Sequence, residues 1–190
     1  DSRRDQESLQ ARVSQPSRRN PQFVSNRHLA FWLMPAPEDI PVLQTMIEEL
    51  ANRYDAPIFK PHLTLYSGQF EKEETPWTNL PSIEPISLPV LGVDATTQYT
   101  KTLFLQFPRN ERLLALMESL REQCPKSTGY SLDPHLSLLY ADLPLSEKQN
   151  LAKNLIPSLS RVRFTGLSVI EHPKIVVTKR DVEAFRELPS

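Results

Sequence analysis

The chain has 190 residues and a mass of 21.8 kDa, with 39% hydrophobic and 24% charged side chains, a size that suits one domain or two small lobes sharing a core and argues against two independent domains. No stretch approaches the roughly 20 apolar residues needed to span a bilayer, and the single cysteine, Cys124, excludes an internal disulfide and a structural zinc site and suits a reducing cytosol. The net charge of −1 hides an asymmetry, because residues 1–27 hold six arginines against Asp1, Asp5 and Glu7, so the remainder carries about −4 and is no basic platform for RNA.

Residues 1–27 read as a solvated, disordered or extended tail, although Arg3, Arg4, Arg12, Arg18 and Arg19 suit phosphate contacts. The chain begins at Asp1 rather than Met, as either a truncated or a processed start would, and a cytoplasmic placement is the expectation.

From residue 28 the chain aligns with itself without gaps at an offset of 73: Phe31 falls on Phe104, Pro35 on Pro108, Leu43 on Leu116, Glu49 on Glu122, and Pro61 to Leu65 on Pro134 to Leu138. Each half follows one plan of strand, helix, strand. His28 to Met34 is an apolar run closed by proline, a strand. Ile40, Leu43, Ile47, Leu50 and Tyr54 then lay one stripe along a helix, and Pro61 leads into a strand carrying His62 and Thr64.

Trp77 lies in a proline-flanked loop and reads as a surface or lobe-edge packing residue; the run Glu71, Glu73, Glu74 reads as a solvated loop. Ile86 to Ala95 reads as a strand. Thr102 to Phe107 repeats the first strand, Leu113, Leu116, Leu120 and Cys124 repeat the helical stripe, and Pro134 leads into the strand of His135 and Ser137. Ser146 with Gln149 forms a capping box for a helix that Pro157 closes, and Val162 to Ile170 and Lys174 to Lys179 complete the strands. The expected fold is α+β over residues 28–190: a single bilobal, internally duplicated domain, with two mostly antiparallel sheets, helices packed outside and a central cleft.

Side chains two apart on a strand share a face, so His62 points with Thr64 and His135 with Ser137, while Leu63, Leu65, Leu136 and Leu138 point into the core. Buried imidazole and hydroxyl groups cost free energy unless partnered. Two copies at matching repeat positions therefore point to one symmetric site. Opposed imidazoles suit phosphodiester hydrolysis, one taking a proton from water and the other giving one to the leaving oxygen. With an ordinary pKa of about 6.5 both states are accessible near neutrality. The hydroxyls of Thr64 and Ser137 would donate to non-bridging oxygens, and neither metal nor cofactor is required.

His62-Leu63-Thr64-Leu65 and His135-Leu136-Ser137-Leu138 resemble the paired H-x-T/S-x motifs of the 2H phosphoesterase superfamily, and the stretch His135 to Leu143 resembles its cyclic phosphodiesterases. The resemblance spans residues 28–180. It implies hydrolysis of a nucleoside 2′,3′-cyclic phosphate or ADP-ribose 1″,2″-cyclic phosphate to a monoester; a monomer acting on a small-molecule substrate is the expectation. His62, Thr64, His135 and Ser137 take the catalytic roles, and Tyr140 and Trp32 are suggested as substrate contacts, positions that core packing also suits. RNA-end processing and a non-catalytic nucleotide-binding module are the alternatives. His28 and His172 have no counterpart in the other half and are not read as catalytic. The glycines Gly68, Gly92, Gly129 and Gly166 stand too far apart for a P-loop or dinucleotide fingerprint, and no G-x-S-x-G elbow occurs.

Overall fold

The structure, a computed structural model, describes residues 26–123 and 129–189. The expected tail up to residue 25 and Cys124 of the second helical stripe lie outside them. The elements run β1 Arg27–Pro35, α1 Ile40–Tyr54, β2 Leu63–Phe70, β3 Ile86–Pro89, β4 Gly92–Ala95, β5 Leu103–Gln106, α2 Glu111–Glu122, β6 His135–Leu139, α3 Leu145–Asn154, β7 Arg161–His172, α4 Lys179–Glu183 and β8 Arg186–Leu188. Short 3₁₀ turns at Pro76–Asn79 and Tyr99–Lys101 interrupt the loops.

The fold is α+β, as expected, but the strands form one sheet rather than two. The order is β3-β7-β1-β2-β6-β5-β4, with β8 added to β7 and every pairing antiparallel. The joint between the two sides of this order is a single bridge, Leu63 opposite Leu136, both fully buried. Burial of that leucine pair on the core face holds β2 and β6 together where only one residue pair of ladder exists.

Helix α1 packs against β6 and α2 against β2, so each helix crosses onto the histidine strand that it does not precede. Leu43, Ile47 and Leu50 of α1 and Leu113, Met117 and Leu120 of α2 join Leu29, Phe31, Leu33, Leu63, Leu65, Leu136 and Leu138 in one core. In α2 the buried stripe runs through Met117, with Leu116 half-buried beside it. α1 carries proline in its first turn and ends at Asp55, whose φ of 48° terminates the helix. Asn110 caps α2 through its side chain, which accepts from the backbone N–H groups of Arg112 and Leu113.

Three further expectations are corrected. Ile86 to Ala95 is two strands, separated at Val90–Leu91: β3 joins β7 and β4 joins β5, at opposite ends of the sheet order. Lys174 to Lys179 forms no strand; it leads into α4, which carries a capping box made by Thr178 and Asp181. The box expected at Ser146 is absent, since α3 starts after Pro144 without a side-chain cap. The loop after β2 is also more structured than a solvated run, for the backbone N–H of Glu71 donates to Glu74 Oε2 at 2.6 Å. Trp77 is half-buried beneath the Arg27 guanidinium, 4.7 Å from its ring centre.

Candidate active site

One pocket gathers Trp32, His62, Thr64, His135, Ser137 and Tyr140, all six candidate site residues singled out in the sequence. It also holds Ala30, Ser67, Gln98, Thr100, Lys101, Tyr130, His172 and Phe185. Within the two motifs the faces divide as strand alternation dictates: Leu63, Leu65, Leu136 and Leu138 are completely buried in the core, and His62, Thr64, His135 and Ser137 line the pocket.

The two histidines are set in the same way. His62 stands immediately before β2 and its Nδ1–H donates to the carbonyl oxygen of Lys60 at 2.6 Å; His135 opens β6 and its Nδ1–H donates to that of Asp133 at 2.7 Å. Lys60 and Asp133 each precede a proline, which holds them extended and presents the carbonyl to the ring two residues on. A carbonyl only accepts, so Nδ1 of each ring carries a proton and Nε2 is the nitrogen left to take up or give one. The Tyr140 hydroxyl stands 3.5 Å from His62 Nε2.

Burial disfavours the charged form of both rings. It pushes the His62 pKa down to about 3, with the Lys60 carbonyl opposing and His135 adding to the shift. His135 is also lowered by burial, the Asp133 carbonyl opposes, and among the charges Lys101 lowers it further while the Asp133 carboxylate raises it.

Aromatic rings fix these imidazoles. Trp32 stacks flat on His62, with centroids 3.5 Å apart, whereas Phe104 meets His135 edge-on at 5.4 Å. Tyr140 is buried and stacks on Phe59 at 4.0 Å, and burial raises its hydroxyl pKa. Trp32 and Tyr140 therefore pack and line the pocket at once.

The Ser137 hydroxyl donates to the carbonyl of Thr100 at 2.9 Å. Thr64 is half-buried, and the Tyr130 hydroxyl donates to its carbonyl at 3.0 Å. Lys101, reached from the Tyr99–Lys101 turn, is paired with the Asp133 carboxylate and lies 4.2 Å from the centre of the Phe104 ring. Its side chain is only 13% exposed, which places a fixed positive charge at the pocket wall.

Sequence reasoning did not assign Lys101, Tyr130 or His172 to the site. His172 has no repeat partner in the sequence, yet its Nε2 lies 3.3 Å from the Ser67 hydroxyl and its ring lines the pocket. The strand register brings it there: His172 ends β7 opposite His28 of β1. Among the described residues no group of three or more His, Cys, Asp or Glu side chains is arranged to hold a metal ion, and no helix is long and apolar enough to cross a membrane.

The family profile described as "Cyclic phosphodiesterase-like protein" matches residues 28–189. A cyclic phosphodiesterase of Arabidopsis thaliana is 27% identical over 123 residues, which is 63% of this chain and 68% of that protein. The crystal structure of E. coli LigT complexed with 3′-AMP superposes with a TM-score of 0.56 at 17% identity, covering 87% of this chain and 95% of LigT. LigT in apo form gives a TM-score of 0.56 at 16% identity over the same shares. At that identity the likeness to LigT is one of fold.

Proposed function

The chain belongs to the cyclic phosphodiesterase-like family of the 2H phosphoesterase superfamily, and from that premise we propose that it opens a cyclic phosphodiester to a monoester by two-histidine acid–base catalysis without a metal. The substrate is a nucleoside 2′,3′-cyclic phosphate or ADP-ribose 1″,2″-cyclic phosphate, and residues 28–190 act as a single bilobal catalytic unit with an internally duplicated plan. The observation that carries the reading is the matched setting of His62 and His135, each with Nδ1–H tied to the carbonyl two residues back and both rings in one pocket with Thr64 and Ser137.

His62, held neutral, is the general base that takes a proton from the attacking water on Nε2. His135 lies beside the Asp133 carboxylate, which favours its charged form; the anionic phosphate adds to that field, and His135 donates its proton to the leaving ring oxygen. The hydroxyls of Thr64 and Ser137 donate to the non-bridging oxygens as charge builds. For Ser137 this means releasing the Thr100 carbonyl. Lys101 supplies the positive charge at the wall.

The test is turnover of both cyclic phosphates in EDTA by the wild type, His62→Ala and His135→Ala, with circular dichroism checking the fold of each. Loss of general acid–base catalysis costs about 10²–10⁴ in rate, and a folded variant that keeps full activity removes that histidine from the mechanism. Complete inactivation of the wild type by EDTA would overturn metal independence.

A further inference from the structure

We propose that the catalytic pocket continues into a second anion subsite, formed by His28, Gln69, His172 and Lys174, that takes a further phosphate group of the substrate beyond the one hydrolysed. This rests on the cyclic-phosphate reading above.

A break in strand parity carries the argument. In the ladder between β1 and β2, Trp32 faces Thr64 and Phe31 faces Tyr66, so Leu65 has no partner and the alternation of β2 shifts by one residue. Leu65 and Tyr66 are both completely buried in the core. Beyond the bulge, Ser67 and Gln69 therefore share the pocket face with Thr64. On β1 the same face runs Trp32, Ala30, His28, and on β7 it runs Ile170, His172, paired across from Ala30 and His28.

The face is built as a channel. Ala30 lies between Ser67 and Ile170, and its short side chain keeps the floor low between the catalytic pair and His28. His28 then lies between Gln69 and His172. His172 lines both the catalytic pocket and the next one, which also contains Gln69, His28 and Lys174. Trp32 and His28 are four residues apart, about 13 Å of strand.

The chemistry of the far end favours an anion. Glu171, the carboxylate there, is already matched by Arg27 at 2.8 Å and by Arg186. Lys174 forms no ion pair among the described residues and is exposed, and the His28 ring makes no hydrogen bond to any of them. A cation with amide and imidazole N–H donors beside it is a phosphate-binding set. On the other side of the sheet the β5–β6 ladder has the same bulge, with Leu138 unpaired and Tyr140 turned into the pocket, but it stops at Leu139, and among the described residues no strand face extends beyond it there.

The experiment is calorimetric binding of 3′-AMP against adenosine 3′,5′-bisphosphate, and of the 2′ isomers of both, to the wild type, Lys174→Gln and the Lys174→Gln/His28→Gln pair. The second phosphate is expected to tighten binding about tenfold at low salt, with the gain lost as salt rises and in the double variant. Equal affinities in the wild type overturn the subsite, and a gain that survives the double variant overturns its location. Because binding is read directly, a gain without hydrolysis of any cyclic phosphate would sink the proposed reaction and leave the subsite standing.

Discussion

Trp32 and His62 lie face to face, their ring centroids 3.5 Å apart and their planes 8° from parallel. Trp32 sits opposite Thr64 across β1 and β2, while Phe104, opposite Ser137 across β5 and β6, meets His135 edge-on. By position in the ladder the counterpart of Trp32 is thus Phe104, one residue away from the match that a gap-free alignment makes. The stack and the Lys60 carbonyl together leave His62 one orientation.

Replacing Trp32 with Leu keeps an apolar side chain but removes the stack, which such pairs make worth about 0.5–1.5 kcal/mol. The expected result is a modestly lower melting temperature and a kcat about tenfold lower, with KM changed less. An unchanged kcat in the folded variant would mean that the Lys60 hydrogen bond alone orients the ring.

Lys101 and Asp133 act on His135 with opposite signs, the first lowering its pKa and the second raising it. If His135 is the acid, activity declines as pH rises through its pKa. Asp133→Asn should therefore move the alkaline limb of the rate profile to lower pH, and Lys101→Gln should move it to higher pH and raise KM. Shifts of both variants in one direction would remove His135 from the acid role. NMR titration of the His135 ring checks the same signs without turnover.

Thr102 is completely buried, and its hydroxyl ties the Tyr99–Lys101 turn to the end of β6. It lies 2.9 Å from the Ala141 carbonyl and 2.8 Å from that of Tyr99, and it accepts from the Ala141 N–H at 3.0 Å. Thr102→Val keeps the shape and strands those groups, at a cost of about 1–3 kcal/mol. Chemical denaturation should show that loss. The turn carries Thr100 and Lys101, so KM should rise as well; a variant with wild-type stability would refute the staple.

All four histidines have pKa values below the ordinary one, with burial as the largest cause, and His62 is the most displaced at about 3. The unfolded chain therefore binds more protons than the folded one as pH falls below about 6.5, and stability declines in that direction. Their contribution is fully present above pH 6.5 and that of His62 continues to fall until about 3. Carboxylates such as Glu171, lowered to about 2 by Arg27 and Arg186, add their own loss only below about 4.5. Urea midpoints at pH 7.5 and 5.0 should differ accordingly, and His62→Asn should narrow the difference. A midpoint that is flat over this range would contradict the burial of these rings.

The amphipathic spacing of α1 and α2, the proline-closed strands and the paired histidine motifs were all legible in the chain, because periods of 3.6 and 2 are local properties. Locally similar segments misled where their partners were remote. Ile86 to Ala95 looks like one strand, yet its two parts serve opposite ends of the sheet. Ser146 and Gln149 have capping-box chemistry, but the helix enters through Pro144 and the box forms at Thr178.

What the sequence determined by itself is the pair of strands on which imidazole and hydroxyl share a face, since alternation along a strand needs no knowledge of neighbours. What only the tertiary structure decided is everything set by register between strands. The unpaired Leu65 turns Ser67 and Gln69 toward the pocket, and antiparallel pairing brings His172 from the end of β7 to its rim. The Tyr99–Lys101 turn delivers Lys101 to a wall 32 residues from its ion-pair partner Asp133. Those positions follow from which ladder buries the most apolar surface over the whole sheet, and no local window of the chain contains that comparison.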